Sequence, residues 1–343
     1  MSSTLHPSAW SGKALMAVLA SAVLGACSDD KPTAPLPNFP DAASTAVASP
    51  GRGCGPRCTT GQILFAKGDP EVKPPNGHIW VMNADTTGKT QITFGSGDDD
   101  YAAWSPNYKK VVFSSNRNGA WELFSVNVDG TGLKQLTTAK ASHDLYASWA
   151  PDGSKIFFSR ATIDSAAATS WHARIYSVNP DGTGLAKVAD DAAASLYYPS
   201  VSPDGQRVAV VRLPLGSAWG AARLYTVNTD GTGLAMLTDG WLGDAEPAWS
   251  PDGTKVAFTC RSGYPEYRDI CVVNADGTDR KGIVTWPGAQ ANPSFSRDGT
   301  RIIFESFASS MGTLYTVKLD GTGVMQLQSS LDPMAYYSPA WSR

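Results

Sequence analysis

Side chains able to do chemistry are sparse in this chain of 343 residues, and those of catalytic type are scattered. Beyond the first 26 residues the histidines are His78, His143 and His172, each in a different segment. No H-E-x-x-H helix and no G-x-S-x-G elbow gives any of them a partner. Three histidines so far apart make a metal centre only if the fold carries them to one axis, so neither a metal nor a cofactor is expected. Asp244 and Glu246 have the residue types of a glycosidase acid and base, although paired surface acids are common. What does recur is a set of another kind. Tyr101, Tyr146, Tyr198, Glu246, Asn292 and Ser338 stand at one fixed offset, and close before them lie Asp98, Asp99, Asp100, Asp144, Asp239 and Asp244. Lys140 is the one basic residue of these stretches. Asp98-Asp99-Asp100 lacks the Gly and the distal Glu of an EF-hand loop. An acidic, aromatic group of this sort suits a basic peptide, a sugar stacked on a ring, or a cation. The plainer alternative is that the acids are solvated turn caps and the tyrosines pack between repeats.

The offset is set by a repeat. Each of the six residues lies three positions before an anchor, and the anchors are Trp104, Trp149, Val201, Trp249, Phe295 and Trp341, spaced 45 to 52 residues apart. In the clearest copy, Pro247 to Thr259, Ala248-Trp249-Ser250 runs into Pro251-Asp252-Gly253 and returns as Lys255-Val256-Ala257-Phe258. Pro presets a turn and Gly takes its left-handed position, so the segment is a β-hairpin. A third run such as Leu224-Tyr225-Thr226-Val227 follows, then Asp-Gly-Thr as at Asp230-Gly231-Thr232, then a short fourth strand. A period in the forties with four short strands per copy predicts an all-β propeller. Six blades are expected over residues 61–343. The first repeat lacks its own first strand, so Ala340-Trp341-Ser342 is expected to complete it and close the ring. Two loop types are short and uniform; the other two are long and irregular and share the opposite face, where binding is expected. The six offset residues, with Asp99, Asp144 and Asp244, are then a ring at the tunnel mouth on that face.

The chain has five cysteines. Cys260 and Cys271 replace the Ser, Arg, Phe or Tyr of other copies on neighbouring strands of one blade, which predicts a diagonal cross-strand disulfide. Cys54 and Cys58 close the small loop C-G-P-R-C, for which a disulfide is also expected, since no second pair completes a zinc site. Lys13, the apolar run Ala14 to Leu24 and Leu24-Gly25-Ala26-Cys27 form an export signal, too short to span a bilayer. Residues 27–60 are rich in Pro, Ala, Ser and Thr and read as a flexible tether. The formal charge of −3 excludes a nucleic-acid partner.

Two resemblances add to this reading. Leu24-Gly25-Ala26-Cys27 resembles the bacterial lipobox, which implies a signal over residues 1–26, lipidation of Cys27 and, with Ser28 following, an outer-membrane anchor facing the periplasm. The repeat W-S-P-D-G…(I/L)-Y-x-(V/M)-N-x-D-G…L-T resembles that of TolB, a periplasmic six-bladed propeller family of the cell envelope. TolB proteins carry an α/β domain before the propeller, where this chain has the tether. With the sparse histidines and the missing nucleophile, the expectation is a monomeric, membrane-tethered, non-catalytic propeller. Its expected partner is an envelope protein or peptide, a peptidoglycan-associated one among the candidates. The alternative is an exported polysaccharide lyase or hydrolase with its site at the tunnel mouth.

Overall fold

The computed structural model describes residues 61–68, 77–138, 141–163, 171–239, 243–261, 268–307, 312–327 and 334–342. Within them the chain forms six four-stranded antiparallel sheets. Blade 5 shows the plan: Ala245–Trp249, Lys255–Cys260, Asp269–Asn274 and Lys281–Val284 pair in chain order. Blades 2, 3, 4 and 6 begin at Asp99, Ser142, Ala194 and Gln290 and follow the same order. In blade 1 the strand Ala335–Trp341 lies beside Gln62–Gly68, with Trp341 opposite Ile63 and Ala335 opposite Gly68. Its other two strands are His78–Asn83 and Thr90–Gln91.

The local chemistry of each hairpin explains its shape. Ser250 Oγ donates to Asp252 at 2.6 Å and accepts from Lys255 N at 2.9 Å, which pins both ends of the Pro-Asp-Gly turn. The Asp-Gly-Thr turns are held alike: Thr278 Oγ donates to Asp276 at 2.7 Å and accepts from Asn274 Nδ2 at 2.9 Å. Glycine is required here for space as well as for its positive φ. A Cβ on Gly231 would overlap the carbonyl oxygen of Val188 in the preceding blade.

Second strands are buried on both faces, because neighbouring blades cover them on either side. Blades are also joined by the anchors. Trp249 Nε1 donates to the Ser200 carbonyl of blade 4 at 3.0 Å, and Trp104 Nε1 donates to the Ala340 carbonyl of blade 1 at 3.2 Å. A disulfide joins Cys260 and Cys271, with Cα atoms 5.8 Å apart. Cys260 lies opposite Asp269 and Cys271 opposite Phe258, so the bridge crosses the pair diagonally. Among the described residues no helix is long and apolar enough to cross a bilayer.

Candidate binding site at the axial mouth

Every first strand carries a β-bulge at the same place. In blade 5 the pairing jumps from Ala245–Thr259 to Ala248–Ala257, so Glu246 and Pro247 together oppose Phe258. The equivalent jumps place Tyr101, Tyr146, Tyr198, Asn292 and Ser338 at the first bulge position of the other blades. All six have positive φ, from 46° at Ser338 to 62° at Tyr146. That region disfavours L side chains, and only Asn among these types enters it readily. The bulges therefore do something the flat ladder could not: they turn one side chain per blade toward the axis. Beneath each bulge the facing residue of the second strand is fully buried: Phe65, Phe113, Phe158, Val210, Phe258 or Phe304. The strained turn thus rests on an incompressible floor.

The six bulge residues line one axial cavity of about 180 Å³, walled by the first strands alone. Its two halves differ. Blades 2 to 4 supply tyrosines that touch across the blade boundaries: Tyr101 meets Tyr146 edge-on at 4.5 Å between centroids, and Tyr146 stacks on Tyr198 at 3.8 Å. Trp219 continues the row, packed against Tyr197 and Tyr198. The three phenols thus stand side by side along one wall of the cavity. Burial pushes all three phenols up, and the Glu246 carboxylate across the mouth adds to the push on each.

Blades 5, 6 and 1 join through hydrogen bonds instead. Glu246 Oε2 accepts from Thr259 Oγ1 at 2.5 Å and from the Asn292 backbone N–H of the next blade at 2.8 Å. Glu305 repeats the link one blade on, accepting from Asn292 Nδ2 and from Ser338 N–H, each at 2.7 Å. Burial, then the Glu246 carboxylate, push Glu305 up to about 8, and the hydrogen bonds from Ser338 and Asn292 only partly oppose them. Glu305 is therefore mostly protonated at neutral pH. Sequence reasoning missed it, although a signal was present. At the matching second-strand position the other blades carry Ala66, Ser114, Ser159, Val211 and Thr259, so an acid there is an outlier.

The expected acidic rim is not formed by Asp99, Asp144 and Asp244. None of the three lines the cavity; each is buried inside its own blade against an arginine. Arg160 grips Asp144 with two bonds of 2.7 Å, Arg280 grips Asp244 at 2.8 and 2.9 Å, and Arg117 reaches Asp99 at 2.8 Å. Each guanidinium also lies over the buried Phe beneath the bulge, Phe158, Phe258 or Phe113. Burial works to raise Asp99, but bonds from His78, Ser115 and Arg117 hold it below the usual range; burial prevails at Asp244 and raises it. Asp244 is thus engaged by Arg280 and does not line the cavity beside Glu246. His78 and His172 belong to third strands of two different blades: His78 meets Asp99 at 3.2 Å, and His172 Nε2 lies 3.0 Å from the Asp191 carbonyl. Among the described residues no three His, Cys, Asp or Glu are grouped to hold a metal. Lys140, Cys27, Cys54 and Cys58 lie outside the described residues.

No protein-family profile matches the chain. An uncharacterized protein of Agrobacterium fabrum, Atu1656, is 28% identical over 137 residues, 39% of this chain and 46% of that protein. The chain thus matches less than half the length of that relative. TolB from Acinetobacter baumannii superposes with a TM-score of 0.69 at 18% identity, over 82% of this chain and 66% of that one. A putative TolB from Agrobacterium tumefaciens gives 0.59 at 16% identity, over 82% of this chain and 99% of that one. The fold is a TolB-like six-bladed β-propeller. A chain of the nidogen–laminin complex superposes at 0.62 with 12% identity, covering 82% and 98% of the two chains, so the architecture extends well beyond TolB.

Proposed function

We propose that this TolB-like propeller is a non-catalytic binding protein of the bacterial cell envelope, and that it engages a protein or peptide through its irregular-loop face and axial mouth. The observation that carries the reading is the ring of six bulges. Six blades each adopt an unfavourable backbone at the same position, and all six side chains so turned face one small cavity. Backbone strain repeated in this way is characteristic of sites that serve recognition. Exposed apolar residues follow second strands in the irregular loops of this face, among them Leu215 at 42% and Phe307 at 38% exposure. A cavity of about 180 Å³ admits a side chain or a short segment, and the surrounding loops then supply the wider contact. Residues 1–26 act as the export signal, and Cys27 carries the lipid that holds residues 27–60 as a tether to the outer membrane, with Cys54 and Cys58 paired in a small loop.

Site-specific photo-crosslinking in the envelope tests the binding reading. A probe at Leu215 is expected to give one discrete protein adduct, and a probe at Ser154 on the tight-turn face none. Equal labelling from both faces, or labelling from Ser154 alone, would place the interaction elsewhere. Anchoring is checked separately: Cys27→Ser is expected to move the protein from the membrane to the soluble exported fraction.

A further inference from the structure

We infer that the axial mouth is a receptor for a primary ammonium group, presented as the lysine side chain of a partner segment. This rests on the protein-binding reading above for its source of lysine, but the chemistry is read from the mouth alone. Glu246 is 7% exposed and lines the cavity. Its Oε2 is fully engaged by Thr259 and Asn292. Its Oε1 accepts no hydrogen bond among the described residues; the Arg268 guanidinium stops 3.8 Å away, beyond bonding reach. Oε1 is therefore held only by this long ion pair, at a residue that lines the cavity, and it still has a hydrogen bond to accept. The phenols of Tyr101, Tyr146 and Tyr198 line the same cavity. Phenols that remain neutral can accept as well as donate.

An ammonium carries three N–H donors in a compact head, and here a carboxylate oxygen and neighbouring phenolic oxygens are its acceptors. The lysine stem is apolar, and the tyrosine rings and Pro247 offer it cover. A guanidinium needs a paired acceptor edge, which Glu246 lacks because Oε2 is occupied. An anion would meet the carboxylate head-on. Arg268 is then a weak internal competitor, close enough to oppose a cation and too far to satisfy the carboxylate.

The test is titration of the full chain with N-acetyl-lysine N-methylamide at pH 7, against the norleucine and arginine analogues and calcium. The lysine probe is expected to bind at least about tenfold more tightly than norleucine, the usual return of one hydrogen bond to a charged group. Glu246→Gln keeps the shape and the Thr259 and Asn292 contacts, and should remove that preference. Arg268→Ala should tighten lysine binding several-fold. Equal binding of lysine and norleucine, a preference for arginine or calcium, or weaker lysine binding in Arg268→Ala would each overturn the inference. Crosslinking at Leu215 without any lysine preference would leave the binding face standing and this assignment refuted. Lysine binding without a crosslinked partner would do the reverse.

Discussion

The two halves of the axial mouth hold neighbouring blades together by different physics on an identical backbone. In blades 2 to 4 the bulge residue is tyrosine, and the contact across each boundary is ring against ring. In blades 5, 6 and 1 it is Glu, Asn or Ser, and the contact is a carboxyl accepting a backbone N–H from the next blade. The aromatic half gains from apolar burial and stacking, which do not depend on charge. The polar half depends on each buried donor finding its acceptor, and leaves large costs if one is removed. Glu305 also makes it responsive to pH. A repeat fold can thus keep one shape while dividing its centre into a rigid wall and a wall with chemistry.

The largest expected effect comes from removing part of the polar half outright. Deleting residues 335–342 takes away Ser338, the fourth member of blade 1 and the buried Trp341. Truncating a core aromatic alone costs about 3–5 kcal/mol, a large share of the roughly 5–15 kcal/mol of a typical domain. The melting temperature should fall sharply, and the exposed edge of Gln62–Gly68 should promote association seen by size-exclusion chromatography. Deleting 28–50 should do neither. Equal tolerance of both deletions would mean that the ring does not depend on this strand.

Next come single residues, one from each half. Tyr146→Ala empties the middle of the tyrosine row and should cost about 3–5 kcal/mol, while Tyr146→Phe keeps the stack and should cost less than about 1.5. Glu305→Ala leaves Ser338 N–H and Asn292 Nδ2 unpaired, at about 1–3 kcal/mol for each buried donor. Glu305→Gln retains an acceptor and should be far milder near neutral pH. Denaturant melts of the four variants check the contrast. If Tyr146→Phe were as damaging as Tyr146→Ala, the aromatic half would be held by its hydroxyls, and the comparison would fail.

The distinction between halves also has a pH signature. Glu305 in the folded chain titrates at about 8, above its ordinary value of 4.5. Between those values the folded state holds a proton that the unfolded state has released, so its contribution to stability is complete below 4.5 and is lost as pH rises through about 8. Melting temperature should therefore decline over this interval, and the decline should be reduced in Glu305→Gln. The Tyr146→Phe variant should keep it. An identical pH profile for wild type and Glu305→Gln would assign the buried proton to another group.

Much of this was legible before the structure. The anchors fix the repeat, and their spacing alone brought the six mouth residues onto one ring. The bulge was not legible, because positive φ is signalled by Gly or Asn, and Tyr, Glu and Ser give no such warning. Nor was the fate of the acids. Arg160 and Arg117 come from 16 and 18 residues after their partners, but Arg280 comes from 36 residues away, beyond its blade's third strand. No fixed spacing links the pairs, so acids that look exposed in a loop pattern turn out to be internal. Glu305 was readable as an outlier within an otherwise small or apolar column, but its partners lie 13 and 33 residues on either side.

The smallest effect isolates the backbone itself. Holding a non-glycine residue in the left-handed region costs roughly 1–2 kcal/mol. Glycine relieves that cost but adds about 0.5–1 kcal/mol of unfolded-state entropy to be lost on folding. At Ser338 the cavity-facing side chain is small, and the bond to Glu305 comes from the backbone N–H, which glycine keeps. Ser338→Gly should therefore raise stability slightly, by up to about 1 kcal/mol. Tyr198→Gly relieves the same φ strain but loses the ring stacked on Tyr146, and so should destabilise. The two substitutions relieve one conformation in opposite halves, and their difference in melting temperature measures what the aromatic contact adds. A loss of stability in Ser338→Gly would show that the serine hydroxyl, and not the bulge alone, holds the polar half in place.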